Sequence, residues 1–174
     1  MSNYDYTSRL SAVWEKAVKL YGKGQRGSGT YFERPETLFL AEIGVTPQEI
    51  YDFAEDFNNG GEPDFATFAA VHDIRRAYFL EVQKGKPSKK VLDPATLPPK
   101  DAELAGIRWL PRFIAKAKAK LRGEMHSDIM YGCGGDRNFL RTNDIHLAEF
   151  LRVVWKNEKD DDAIVAWVKA RTGK

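Results

Sequence analysis

The chain has 174 residues, which is the length of one ordinary domain or of two small packed halves. Hydrophobic residues make up 43% and charged residues 30%, with a net charge of +2, so the chain is too apolar to be disordered and too polar for a membrane protein. No apolar run is long enough to span a bilayer, and residues 1–10 lack the apolar core of a signal peptide, so we expect a soluble protein without membrane contact. The single cysteine, Cys133, excludes an intramolecular disulfide and favours a reducing cytoplasm.

The charges are distributed unevenly along the chain. Residues 35–64 contain eight acidic residues and no basic one, whereas residues 84–122 contain eleven basic and three acidic residues. This asymmetry fits either two solvated faces or a basic patch that meets an acidic partner. We favour solvated faces, because the isoelectric point of about 8.6 is moderate for a protein that binds nucleic acid.

Apolar residues at helical spacing predict four helices in the first half of the chain. Thr46 and Glu49 form a capping-box pattern at the start of the third helix, and Asp64 is placed to cap the fourth. His72 lies on the apolar face of that fourth helix, where a partly buried, hydrogen-bonded histidine is expected more than a catalyst. The four helices span about residues 4–21, 35–43, 47–57 and 64–84.

The second half begins with an irregular stretch, residues 85–101, that contains four prolines. We interpret it as a surface loop within one domain, or as a joint between halves at 1–84 and 102–174. Residues 102–122 are predicted helical with an interruption at Pro111, so the main helix runs over 111–122. On it we expect Phe113, Ile114, Ala117 and Leu121 to face inward and Lys116, Lys118 and Lys120 to face water. Shorter helices are predicted over 136–142, 145–156 and 163–171, with Asp136 capping the first of them.

No segment shows the alternating pattern of a β-strand convincingly. The sequence therefore predicts an all-α fold. We expect residues 1–174 to form a single globular bundle of about seven unequal helices, or two packed helical halves.

Two sequence patterns resemble a cofactor site and a metal site, but each lacks a structural feature that such a site requires. Residues 22–27 match the glycine fingerprint of dinucleotide-binding proteins, but a helix precedes them where that fingerprint requires a strand. His146 and Glu149 share a helix face without a third ligand nearby in sequence. We therefore expect no cofactor and no metal ion.

The most informative segment is residues 126–137, where three glycines surround Cys133. Glycines allow a backbone to approach a ligand closely, and a following helix start favours a thiolate or a bound anion. His126 and Arg137 add positive charge, so a reactive thiolate is one interpretation. The loop residues that would form the binding site are Tyr131, Gly132, Gly134, Gly135 and Asp136. We favour the simpler interpretation, a tight connector in which Cys133 is a small buried side chain.

Several short stretches together resemble a known family. They include Trp109-Leu110-Pro111-Arg112, Tyr131-Gly132-Cys133 and Phe139-Leu140. Two further matching pairs, Phe150-Leu151 and Trp167-Val168, follow later in the chain. Over about residues 106–171 the chain resembles a bacterial family described as domain of unknown function 5069. The resemblance implies a bacterial cytoplasmic protein and carries no catalytic residue. Where that family often has Pro-Leu after the cysteine, this chain has Gly134-Gly135, which implies a more flexible or differently shaped loop.

Three hypotheses of function follow. The leading one is a non-enzymatic module that binds a protein or a small anionic ligand, because no catalytic set is assembled in the sequence. The first alternative is a small enzyme or thiol sensor that uses Cys133, with His126 or Arg137 beside it. The second is weak binding of nucleic-acid phosphates by the basic helix 112–122, which lacks a recognisable motif, so nucleic acid is not the partner we expect.

Overall fold

The structure, a computed structural model, describes residues 3–172. Over these residues the chain forms eight α-helices, two short 3₁₀ turns and one two-stranded hairpin, so the predicted all-α fold class is confirmed. The helices are α1 (Asn3–Gly22), α2 (Arg34–Glu42), α3 (Pro47–Gly60), α4 (Phe65–Glu81), α5 (Leu110–Arg122), α6 (Gly134–Thr142), α7 (Leu147–Lys156) and α8 (Asp161–Thr172). The strands are β1 (Glu103–Leu104) and β2 (Ile107–Arg108). None of the helices within residues 3–172 is both long and apolar enough to cross a membrane.

Local sequence signals set several helix ends as predicted. The Thr46 backbone N–H donates to Glu49 Oε2 at 2.8 Å and the Glu49 N–H donates to Thr46 Oγ1 at 3.3 Å, which completes the capping box of α3. Asp64 Oδ1 accepts from the Thr67 N–H at 2.8 Å before α4. Gly123 ends α5 in the left-handed conformation, with φ of 68°.

The chain divides into two compact units, residues up to Arg76 and residues from Ala77, and the boundary falls inside α4. The core of the first unit is aromatic. The Trp14 and Phe68 ring centroids lie 4.5 Å apart, and His72 packs on Phe68 at 4.2 Å. His72 is fully buried, and its Nδ1 donates to the Phe68 carbonyl at 2.8 Å. The histidine is therefore part of the core of this unit, as its apolar surroundings in the sequence indicate.

The core of the second unit centres on Phe113 of α5. Its ring stacks on Phe150 of α7 with centroids 4.2 Å apart, and on Tyr131 with centroids 5.3 Å apart. The Phe139 ring of α6 meets it edge to face at 5.6 Å. Because one ring contacts α6, α7 and the segment before α6, Phe113 fixes the position of that segment against α5.

The prediction that residues 102–109 are helical is wrong, since residues 103–108 form the hairpin and α5 begins at Leu110. Leu104 pairs with Ile107 and Glu103 with Arg108, joined by a two-residue turn. Ala105 and Gly106 in the turn have φ of 53° and 81°, the positive values of a type I′ hairpin turn. Strands of two residues are too short to show alternation, which is why the sequence pattern did not reveal them.

Candidate functional site

The cysteine segment ends at a helix start that differs from the predicted one. Helix α6 begins at Gly134, and Cys133 occupies its N-cap position without a capping hydrogen bond from its side chain. The prediction that Asp136 caps this helix is wrong, because Asp136 lies inside the first turn. Gly134 and Gly135 are therefore the first two residues of α6, and not part of an open loop.

The Asp136 carboxylate is fully buried and accepts hydrogen bonds from three segments of the chain. Trp109 Nε1 donates to Oδ1 at 3.0 Å, the Gly132 N–H donates to Oδ2 at 2.9 Å, and Lys116 Nζ forms an ion pair with Oδ2. A buried carboxylate is costly unless it is paired and hydrogen-bonded, and here both conditions are met. Asp136 thus joins α5, α6, Trp109 and the cysteine segment at one point.

The lysine in this ion pair was predicted to face water, and that prediction is wrong. Lys116 is only 2% exposed, and its Nζ also donates to Cys133 Sγ at 3.3 Å. Lys120, one turn further along α5, is buried as well, so its predicted exposure is also wrong. Their spacing contains the signal that could have found them, because they lie three and seven residues after Phe113, on its side of the helix.

The positive charges of α5 are engaged within the second unit. Lys118 pairs with Asp161 at 2.6 Å, and Arg122 pairs with Glu158 at 2.6 Å. Arg112 donates to the Pro98 carbonyl at 2.8 Å. With Lys116 buried, helix 112–122 does not present the row of available cations on which the nucleic-acid alternative depended.

The two cations expected beside Cys133 form hydrogen bonds with backbone groups of the same segment. His126 Nδ1 accepts from the Asp128 N–H at 3.1 Å. Arg137 Nη1 donates to the Gly132 carbonyl at 2.7 Å and so stabilises the turn before α6. The thiol itself is half-buried, and the cation that contacts it is Lys116.

Tyr131 and Gly132, the two residues before Cys133, are both buried against Leu147 of α7. The Tyr131 hydroxyl donates to the Leu147 carbonyl at 2.9 Å, and burial together with the negative charge of Asp136 raises the pKa of Tyr131 well above its ordinary value. Gly132 has φ of 91°, and a Cβ there would lie 2.7 Å from Leu147 Cδ2. The positive φ favours glycine here, and a larger residue would also displace the Leu147 side chain.

A cavity of about 590 Å³ lies between the hairpin and α6. Trp109 follows β2 with φ of 74°, and its indole forms part of the wall. Gly135 makes this placement of the indole possible, because a Cβ there would lie 2.5 Å from Trp109 Cζ2. The ten lining residues are Lys100, Gly106, Ile107, Arg108, Trp109, Gly135, Asn138, Phe139, Thr142 and Asn143.

The charged residues that line this cavity are all basic. Lys100 and Arg108 are exposed at its wall, and neither forms an ion pair with any residue between 3 and 172. No Asp or Glu of the described chain lines the cavity, although Glu103 lies opposite Arg108 in the hairpin. Two unpaired cations in a concave site attract an anion.

Of the sequence-predicted site residues, only Gly135 lines the cavity, and Asp136 acts on it through Trp109. Sequence reasoning missed Lys100, Arg108 and Trp109, which come from the proline-rich stretch and the hairpin. Across residues 3–172, no cluster of three or more His, Cys, Asp or Glu side chains is arranged to hold a metal ion.

The cavity lies in the part of the chain that matches a family model. Residues 97–173 match the family described as "Domain of unknown function (DUF5069)". The predicted resemblance over about residues 106–171 is therefore confirmed, and the match includes every residue that lines the cavity. No curated protein and no solved structure gives a significant match to the chain.

Replacement of the two adjacent glycines of α6 tests this wall of the cavity. Gly135→Ala should lower the free energy of unfolding by about 1–3 kcal/mol, because the new methyl group displaces the Trp109 indole. Gly134→Ala is the matched control, since the nearest heavy atom to its Cβ is Arg137 Nη2 at 3.9 Å, an ordinary contact. Urea unfolding of the full chain measures both variants, and equal effects at the two positions would contradict the packing described.

Proposed function

We propose that the DUF5069 part of the chain is a non-enzymatic binding module that holds a small organic anion in the cavity beside Trp109. The observation that carries the proposal is the cavity's charge: Lys100 and Arg108 line it without ion-pair partners in the described chain, and no described carboxylate does. We propose a cytoplasmic location for the protein as well, which a single cysteine without a disulfide partner supports.

The size and walls of the cavity support an organic ligand over a bare inorganic ion. Its volume of about 590 Å³ falls in the range of roughly 300–1,000 Å³ that is usual for small-molecule sites. Ile107, Trp109 and Phe139 supply apolar surface, which an inorganic ion would not use. An anion with an apolar body matches both parts of the lining.

The wall is also preorganised. Trp109 is held in a left-handed backbone conformation that is unfavourable for a large residue, and its Nε1 is fixed by the buried Asp136. Such a strained backbone conformation persists only where the surrounding structure holds it in place, and it is found often at ligand-binding sites. A wall that is already in place lowers the entropy that binding costs.

A pair of fluorescent probes that differ by one charged group tests the proposal. The anion 8-anilino-1-naphthalenesulfonate should bind the full chain more tightly than N-phenyl-1-naphthylamine, which lacks the sulfonate. The variants Arg108→Gln and Lys100→Gln should each weaken binding of the anion by roughly three- to tenfold and leave the uncharged probe unchanged. Titration by fluorescence measures the affinity of each probe for the unchanged chain and for both variants.

Lys90→Gln provides the control, because Lys90 is an exposed lysine of the same unit that does not line the cavity. If it weakens binding of the anionic probe as much as Arg108→Gln does, the attraction comes from net charge alone. That result would contradict a site at the cavity.

A second candidate function, a thiol sensor at Cys133, has one specific observation in its favour. Lys116 Nζ donates a hydrogen bond to Cys133 Sγ at 3.3 Å and so holds the sulfur beside a cation. Cys133 as a whole residue is half-buried.

Alkylation by iodoacetamide at pH 7 tests this candidate, with N-acetylcysteine in the same solution as the reference thiol. The rate of Cys133 relative to the reference should be higher in the native chain than in the chain unfolded by urea, because only the native chain holds Lys116 beside the sulfur. A native ratio equal to or below the unfolded one would exclude the thiol sensor.

A further inference from the structure

We infer that the anion held by the cavity carries a planar ring with an N–H donor on one edge, as a purine nucleoside monophosphate or an aminobenzoate does. This inference rests on the proposed function and adds the ligand's chemical class to it. It comes from three features of the lining that recognise three different parts of such a molecule: an amide oxygen to which no described residue donates, an indole ring whose N–H is already engaged, and two cations.

The acceptor is the side-chain amide of Asn143, which is only 7% exposed at the wall of the cavity. Its Nδ2 donates to the Phe139 carbonyl at 2.7 Å. Its Oδ1 receives no hydrogen bond from any residue between 3 and 172. Because Oδ1 is not a buried atom, it is open to solvent and available to accept a hydrogen bond from an N–H group of a ligand.

The ring-binding surface is formed by Trp109 and Phe139. Trp109 Nε1 is already bonded to Asp136, so the indole offers the cavity its carbon surface and no donor. Gly135 has no side chain to cover that surface. Flat aromatic walls of this kind favour a planar ring over an aliphatic chain.

Lys100 and Arg108 are the groups that would bind the anionic end. The guanidinium of Arg108 presents paired donors that fit the oxygens of a phosphate or a carboxylate. Both side chains are exposed, and Asn143 is buried. The ligand therefore enters ring first, with its N–H edge toward Asn143 and its charge at the outer wall.

Isothermal titration calorimetry of the full chain with matched probes tests the inference without any change to Asn143. Adenosine 5′-monophosphate is compared with purine riboside 5′-monophosphate, which lacks the exocyclic amine, and 4-aminobenzoate is compared with benzoate. In at least one pair, loss of the amine should weaken binding about tenfold, the effect of one hydrogen bond. The nucleotides and the benzoates differ in the distance between the ring and the anionic group. The pair of compounds that binds more tightly therefore shows which distance fits the cavity.

Adenosine and the Arg108→Gln variant test the anionic end. Binding of adenosine should be at least several-fold weaker than binding of its monophosphate, and Arg108→Gln should reduce that difference. Equal binding with and without the amine in both pairs would overturn the inference, while binding of the naphthalenesulfonate probe in the same cavity would leave the proposed function standing. If that probe also fails to bind, the proposed function fails with the inference.

Discussion

The ion pair between Lys116 and Asp136 is the interaction on which the rest of the second unit depends. Both side chains are removed from water, and each would be strongly unfavourable there without the other. The carboxylate accepts from Trp109 and Gly132 in addition to the lysine, so its burial is compensated by three donors. Because those donors come from different segments, the pair fixes where α6 begins relative to α5.

The cavity follows from this arrangement. Asp136 holds the Trp109 indole by its one polar atom, and Gly135, the preceding residue, leaves room for the same ring. The hairpin leads the chain into Trp109 and places Arg108 at the cavity wall. A charged interaction inside the unit thus determines the shape of a site whose own charges, Lys100 and Arg108, stay available for a ligand.

The sequence predicted what depends on neighbouring residues. Apolar spacing together with Pro, Gly and capping residues located the helical segments, although about seven helices were predicted and eight are described. The Thr46 and Asp64 caps were confirmed because capping needs only residues three positions apart. The hairpin was missed because two-residue strands leave no periodic pattern. Burial of Lys116 was missed because its partner lies twenty residues away, and a lysine is buried only when such a partner is present.

In the candidate site, too, the features that depend on residues distant in sequence could not be predicted. The glycines around Cys133 were recognised as important, but the reason for Gly135 is its contact with Trp109, and that for Gly132 is its contact with Leu147. Neither contact is local in sequence. The cavity could not be predicted for the same reason, since its walls come from the hairpin and from α6, which only the folded chain brings together.

A double-mutant cycle on the ion pair tests the account most directly. Lys116→Met and Asp136→Leu are each expected to lower the free energy of unfolding by about 3–5 kcal/mol, because each leaves an unpaired buried charge. The double variant should lose much less than the sum of the two, since it leaves no charge behind. Single losses below about 1 kcal/mol, or losses that simply add, would show that the pair does not hold the unit together.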